Sequence, residues 1–215
     1  MPQPNLATRR SFLRHAASVG VVSGLVDCGS FPSVSPVAAA GARPDPQRYL
    51  SPFGIGGCHS NNYSAQANAR WIPEMVAIGL RTHRCCHTGW PAVEPEEGRW
   101  TWDALDRQMS YLDSQGIAYG GIFNASPKWN TKDPKGTLPV NHLAGWSKYV
   151  SAVVKHARGR IQHWEVWNEP PNGTGRDQRP ADYARIVIAA YAAAKAADPQ
   201  CLVGIAAKSV HVNYL

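Results

Sequence analysis

Ile161-Gln162-His163-Trp164-Glu165-Val166-Trp167-Asn168-Glu169-Pro170 reads as an apolar strand that stops abruptly on two polar side chains and a proline. Strands end before proline because it has no N–H to give to a ladder. An amphipathic run from about Leu143 to Arg158 precedes this segment, and another from Ala181 to Ala197, closed by Asp198-Pro199, follows it. A strand set between two helices must pair in parallel, since only a crossover connection returns the chain in the same direction.

The alternation continues in both directions. Toward the N-terminus the expected elements are a strand from Ile117 to Phe123 and a helix from Trp102 to Ser114 with Gly116 as its stop. Before them come a strand from Arg81 to Cys86, a helix from about Asn68 to Ile78 ending at Gly79, and a strand from Phe53 to Cys58. Toward the C-terminus a fifth strand runs from Leu202 to Ala206. Gly54-Ile55-Gly56-Gly57 is glycine-rich, but polar Cys58-His59-Ser60-Asn61-Asn62 follows it without a prompt helix start, so a phosphate has no helix N-terminus to meet. The fold class expected is α/β, a (β/α)8 barrel, of which residues 43–215 supply about the first five βα units.

Barrel enzymes build their sites from the C-terminal ends of the strands. His59, His87 with Trp90, Asn124 with Trp129, and Asn168-Glu169 fall there. Trp167-Asn168-Glu169-Pro170 after an apolar strand resembles the strand-four signature of clan A glycoside hydrolases, and the order of elements is similar to families 39 and 5. Arg84 in strand two matches as well. So do the loop Gly89-Trp90-Pro91-Ala92-Val93-Glu94-Pro95-Glu96-Glu97-Gly98 leading into Trp100-Thr101-Trp102-Asp103, and Ser126-Pro127-Lys128-Trp129 after strand three.

The resemblance implies a retaining mechanism on a β-linked glycan or glycoside, in which two carboxyl groups flank an oxocarbenium-like transition state. By it, Glu169 is the general acid that protonates the leaving oxygen and then the base that activates water. Asn168 would hydrogen-bond the sugar 2-hydroxyl, and Arg84 would hold the nucleophilic carboxylate charged and oriented. His59, His87, Asn124 and Trp129 are further candidates for contacts with an oligo- or polysaccharide. Glu165, four residues before Glu169, sits too deep for substrate and reads as a buried charge paired with Arg81 or Arg84.

Other readings remain open beside these. Trp90, Trp129 and Trp167 either stack on sugar rings or fill packing, while Trp100 and Trp102 pack the start of the second helix. His83, Cys85 and His87 alternate along one strand face. If Arg84 points into the barrel they face the helices, and no fourth ligand stands at a recognised spacing, so no metal or cofactor is expected. A Gly-x-Ser-x-Gly elbow is absent, which removes serine hydrolase chemistry.

Residues 1–42 stand apart in composition. Thr8-Arg9-Arg10-Ser11-Phe12-Leu13-Arg14 precedes the apolar run from Ala16 to Val26, and Ala38-Ala39-Ala40-Gly41-Ala42 offers small residues for cleavage. This resembles a twin-arginine signal, which implies the twin-arginine translocase as a partner and a periplasmic or extracellular destination. Its removal would take three arginines and one aspartate and lower the formal charge from +7 to +5. That charge is spread evenly, and no basic run marks a nucleic-acid surface. Cys58, Cys85, Cys86 and Cys201 read as buried free thiols.

The family pattern places the nucleophile, a second glutamate, at the end of strand seven, whereas this sequence has nine residues after its fifth strand. A whole barrel takes about 250 residues. The expectation is an N-terminal part of a longer hydrolase, with a catalytically inactive carbohydrate-binding half-barrel or a non-functional fragment as alternatives.

Overall fold

The computed structural model describes residues 54–55, 65–84, 87–133, 137–170 and 179–206. His59, Cys58, Cys85, Cys86 and the signal segment lie outside them. The elements are β1 (Gly54–Ile55), α1 (Ala65–Ala77), β2 (Thr82–Arg84), α2 (Trp90–Val93), α3 (Asp103–Ser114), β3 (Ala118–Phe123), α4 (Leu143–His156), β4 (His163–Val166), α5 (Pro180–Ala197) and β5 (Leu202–Ile205). The five strands form one sheet in the order β1-β2-β3-β4-β5, and every pair is parallel. Strand order never reverses, so the sheet lacks the switch point of a doubly wound nucleotide-binding fold and has the topology of a barrel wall.

Local chemistry explains the boundaries. After α1, Gly79 sits at φ 88 and donates its N–H to Val76 O at 3.1 Å, while Leu80 N–H donates to Met75 O at 3.0 Å. After α3, Gly116 at φ 67 and Ile117 repeat the pattern onto Asp113 O and Leu112 O. Both stops are Schellman turns that a glycine makes without Cβ strain. Two differences from the sequence expectation stand out. The fourth strand ends at Val166 rather than Asn168, because Trp167 turns out of the ladder at φ 70. The short α2, with Pro91 in its first turn where a missing N–H costs nothing, was not anticipated.

The sheet has two unlike faces. His83, Tyr119, Phe123, Trp164 and Val166 are buried against the helices. Tyr119 donates its hydroxyl hydrogen to Gln108 Oε1 of α3 at 2.7 Å, and Phe123 stacks on Trp164 at 4.7 Å between centroids. The opposite face carries Arg84, Gly120, His163 and Glu165 around an open hollow of ≈ 380 Å³. Trp100 and Trp102 stack on each other at 5.6 Å at the start of α3, and Trp102 stacks on His156 at 4.2 Å. Cys201 is a buried free thiol.

At its two ends the sheet leaves apolar flanks exposed. Trp71 of α1 and Ile78 just beyond it lie seven residues apart on one flank, and Ile188 and Tyr191 lie on one flank of α5. Leu202 and Ile205 of β5 are exposed as well.

Gly121 makes room for the Trp164 ring: a Cβ there would stand 2.4 Å from it. The ring is held by Phe123, so Gly121→Ala should destabilise the fold by about 1–3 kcal/mol through overpacking. Gly204→Ala, whose added Cβ would meet only Trp164 O at 3.9 Å, should be nearly neutral. Urea unfolding of the two variants checks the contrast.

Candidate active site

The C-terminal ends of β2, β3 and β4 converge, and buried hydrogen bonds fix how. Trp90 N–H donates to Asn124 O at 2.9 Å and Trp167 N–H to Phe123 O at 2.7 Å. Thr88 Oγ1 donates to Ile122 O at 2.8 Å and accepts from Ile122 N–H at 2.9 Å, joining the loop after β2 to β3. The Tyr149 hydroxyl of α4 donates to Thr88 O at 2.6 Å and accepts from Asn124 N–H at 3.4 Å. Burial pushes that phenol far above its ordinary range, so it stays protonated and keeps donating.

Among the described residues, three non-glycine positions adopt positive φ, and all sit at these strand ends: Ala125 at 64, Trp167 at 70 and Glu169 at 44. Such backbone persists only where its surroundings over-determine it, and it gathers at functional sites. Trp167 is buried and packs on Trp146 at 6.1 Å. Its turn places Asn168 beside Arg84 and leaves Glu169 exposed.

Arg84 is the centre of a side-chain network. Its Nε donates to Glu165 Oε2 at 2.6 Å and its Nη2 to Glu165 Oε1 at 3.1 Å, a two-pronged pair, and Nη2 also donates to Asn168 Oδ1 at 2.9 Å. The sequence offered Arg81 or Arg84 as the partner of Glu165; the structure selects Arg84, while the Arg81 guanidinium donates to Val76 O and Leu80 O. Glu165 is half-buried rather than buried, with 28% of its side chain exposed, because it faces the open inner side of the sheet. The pair spans two strand spacings of about 4.8 Å and crosses β3 on the diagonal, from Arg84 opposite Gly120 to Glu165 opposite Ile122.

The other candidates separate. Asn124 follows β3 and turns its Oδ1 back to accept from Ala125 N–H at 2.8 Å. Trp129 is partly buried, donates its indole N–H to Glu94 O at 2.8 Å, and meets Trp90 edge-on at 5.5 Å. Trp90 is fully buried, stacked on Tyr149 at 5.3 Å, and Trp167 is buried too; both belong to packing. His87 titrates below its ordinary value because of burial and then the Arg107 cation of α3. His83 is buried on the helix side, and the described residues hold no group of three or more potential metal ligands.

One structural carboxylate escaped the sequence reading. Glu94 is buried, with Oε2 accepting from Trp90 Nε1 at 2.7 Å and Oε1 from Gly98 N–H at 2.8 Å, and Lys148 Nζ lies 3.9 Å away. The four-residue spacing of Trp90 and Glu94 across one helical turn was the available signal. Glu94→Ala strands the buried Trp90 indole N–H, at a cost of about 1–3 kcal/mol, and leaves the N–H of exposed Gly98 to water. It should lower the melting temperature and weaken the near-ultraviolet signal of the Trp90, Trp129 and Trp146 cluster; unchanged melting would refute the anchoring role.

The end of β4 thus carries an exposed glutamate on a positive-φ turn beside an asparagine held by Arg84. The chain is 28% identical over 118 residues to endo-1,4-beta-xylanase A of Phanerodontia chrysosporium, covering 51% of this chain and 28% of that protein. It is 24% identical over 181 residues to endo-1,4-beta-xylanase B of Thermotoga neapolitana, covering 77% and 51%. It thus spans about half or less of the length of these curated relatives. Among solved structures, a family 39 glycoside hydrolase from Bacteroides cellulosilyticus superposes with a TM-score of 0.54 at 18% identity, covering 71% of this chain and 31% of that one. Xylanase XynB of Paenibacillus barcinonensis gives 0.52 at 20%, covering 73% and 50%. These structures support the barrel fold. The element order had suggested families 39 and 5, yet the family model that matches is glycosyl hydrolase family 10, over residues 84–206. The chain belongs to glycosyl hydrolase family 10.

Proposed function

We propose that this chain carries the acid/base side of an exported, retaining hydrolase of β-linked glycans, with β-1,4-xylan as the substrate class. The observation that carries the reading is Glu169, exposed on a positive-φ turn at the end of β4 next to an asparagine oriented by Arg84. The xylan assignment rests on the names of the relatives, all endo-1,4-beta-xylanases. Export rests on the paired arginines, apolar run and small-residue stretch in residues 1–42.

In this mechanism Glu169 gives its proton to the glycosidic oxygen as the bond to the anomeric carbon breaks. A second carboxylate attacks that carbon from the opposite face and forms a covalent glycosyl-enzyme. Glu169, now ionised, takes a proton from water, which attacks the same carbon and releases the sugar with retained configuration. Asn168 would bond the 2-hydroxyl, and Trp129 would offer a ring face to a sugar. The nucleophile would come from a later strand end, beyond Leu215. Among the described residues the two Nη1 hydrogens of Arg84 have no partner, so the guanidinium retains donors with which to receive that second carboxylate.

In the protein with its barrel closed, Glu169→Ala should cut turnover of xylan about 10²–10⁴-fold and spare aryl glycosides with activated leaving groups much more, since those need no proton. Steady-state kinetics on both substrates checks this, and equal loss on the two would overturn the assignment.

A further inference from the structure

We propose that Glu165 is a positioning residue that acts through Arg84 to fix which way the Asn168 amide faces. The inference rests on the hydrolase reading above and adds to it a residue that does not touch substrate.

The chain of contacts is closed and short. Glu165 takes Nε and Nη2 of Arg84, and the same Nη2 donates to Asn168 Oδ1. Arg84 is the only side-chain hydrogen-bond partner of both Glu165 and Asn168 among the described residues. An asparagine amide ordinarily has two orientations with its oxygen and nitrogen exchanged. A guanidinium carries donors only, so the atom facing it must be the carbonyl oxygen. Asn168 is therefore committed: Oδ1 faces Arg84, and the two Nδ2 hydrogens are left to donate elsewhere.

The fork is what makes this commitment firm. Nη2 is aimed at Asn168 because Nε and Nη2 together are pinned in the plane of the Glu165 carboxylate, a two-point attachment that a single contact does not provide. Without Glu165 the arginine would swing on its flexible stem over the open inner face, and the amide would lose its fixed acceptor. Gly120, opposite Arg84, adds no side chain at the arginine's end of the crossing. The backbone contributes as well: at φ 70, Trp167 departs from strand alternation, and Asn168 comes within reach of an arginine two strands away.

A donor held toward the sugar 2-hydroxyl, in a contact that strengthens in the transition state, makes Glu165 matter most when a 2-hydroxyl is present. The test uses the protein with its barrel closed and two aryl β-glycosides that differ only in that hydroxyl. Glu165→Ala should lower kcat on the 2-hydroxy substrate about 10- to 100-fold with KM little changed. On the 2-deoxy substrate the loss should be clearly smaller, because only the part that passes through Arg84 to the nucleophile remains. Glu165→Gln, which keeps the shape and one acceptor oxygen, should recover much of the loss. Should Glu165→Ala fail to fold, Glu165→Asp and Glu165→Gln carry the decision, since an aspartate reaches the Arg84 fork less well and should show the same preferential loss on the 2-hydroxy substrate. An equal loss on both substrates, or none on either, overturns the positioning role. Wild type that cleaves neither glycoside defeats the hydrolase reading itself, an outcome distinct from wild type that cleaves and a variant insensitive to the hydroxyl.

Discussion

The Arg84–Glu165 pair ties the second strand to the fourth across a strand that places Gly120 opposite Arg84 and Ile122 opposite Glu165. A charge pair on the inner face of a sheet is a costly way to gain stability, because both ions lose water and the attraction in a half-exposed setting is modest. Its value lies in geometry. Nη2 of Arg84 serves Glu165 and Asn168 at once, so the position of one carboxylate along β4 determines the orientation of an amide three residues further on. The sheet's inner face and its C-terminal rim are one mechanical unit at this point.

The rim is strained where it matters and braced beside each strained position. Ala125 leaves β3 at φ 64 directly after Asn124, whose N–H meets the Tyr149 hydroxyl and whose carbonyl accepts from Trp90. Trp167 holds its turn with its indole packed against Trp146 and its N–H bonded to Phe123 O. Tyr183 of α5 donates to Val166 O at 2.9 Å and accepts from Ala206 N–H at 2.8 Å, fastening the end of β4 to the end of β5. Tyr149 and Tyr183 thus do the same work from successive helices, each bringing one hydroxyl to two strand ends. Glu169, by contrast, is exposed, as a proton donor to an incoming ligand must be.

Much of the fold was legible because its signals are local. Apolar runs alternating with amphipathic ones gave the strands and helices, and Gly79 and Gly116 marked their stops. That Glu165 pairs with an arginine of the second strand was legible too, though the choice between Arg81 and Arg84 came from the structure. What escaped depends on contacts between segments distant in sequence. Nothing around Trp90 distinguishes a ring that stacks on sugar from one enclosed by Tyr149, Trp146, Trp129 and His142. Glu94 looked like any loop carboxylate until its two donors came into view. The end of β4 was placed two residues late because positive φ at a tryptophan has no propensity signal; it is imposed by packing.

The exposed apolar flanks follow from the same topology. In a ring of helices that all run antiparallel to the strands, each helix turns one flank toward its predecessor and the other toward its successor. On α5, Asp182, Ala189 and Ala193 share the flank that is buried or partly buried, and α4 is its main helical neighbour. Ile188 and Tyr191 lie on the other flank, toward a successor. On α1 the helical phase relative to buried Ile72 puts Trp71 and Ile78 on the opposite flank, toward a predecessor. Two helices with the same direction but opposite apolar flanks are what the first and last members of an open arc require if the arc is to close. The 50% coverage of the XynB structure fits that geometry. Closure would also cover Leu202 and Ile205 at the β5 edge, and it would bring further strand ends around the rim on which Glu169 stands.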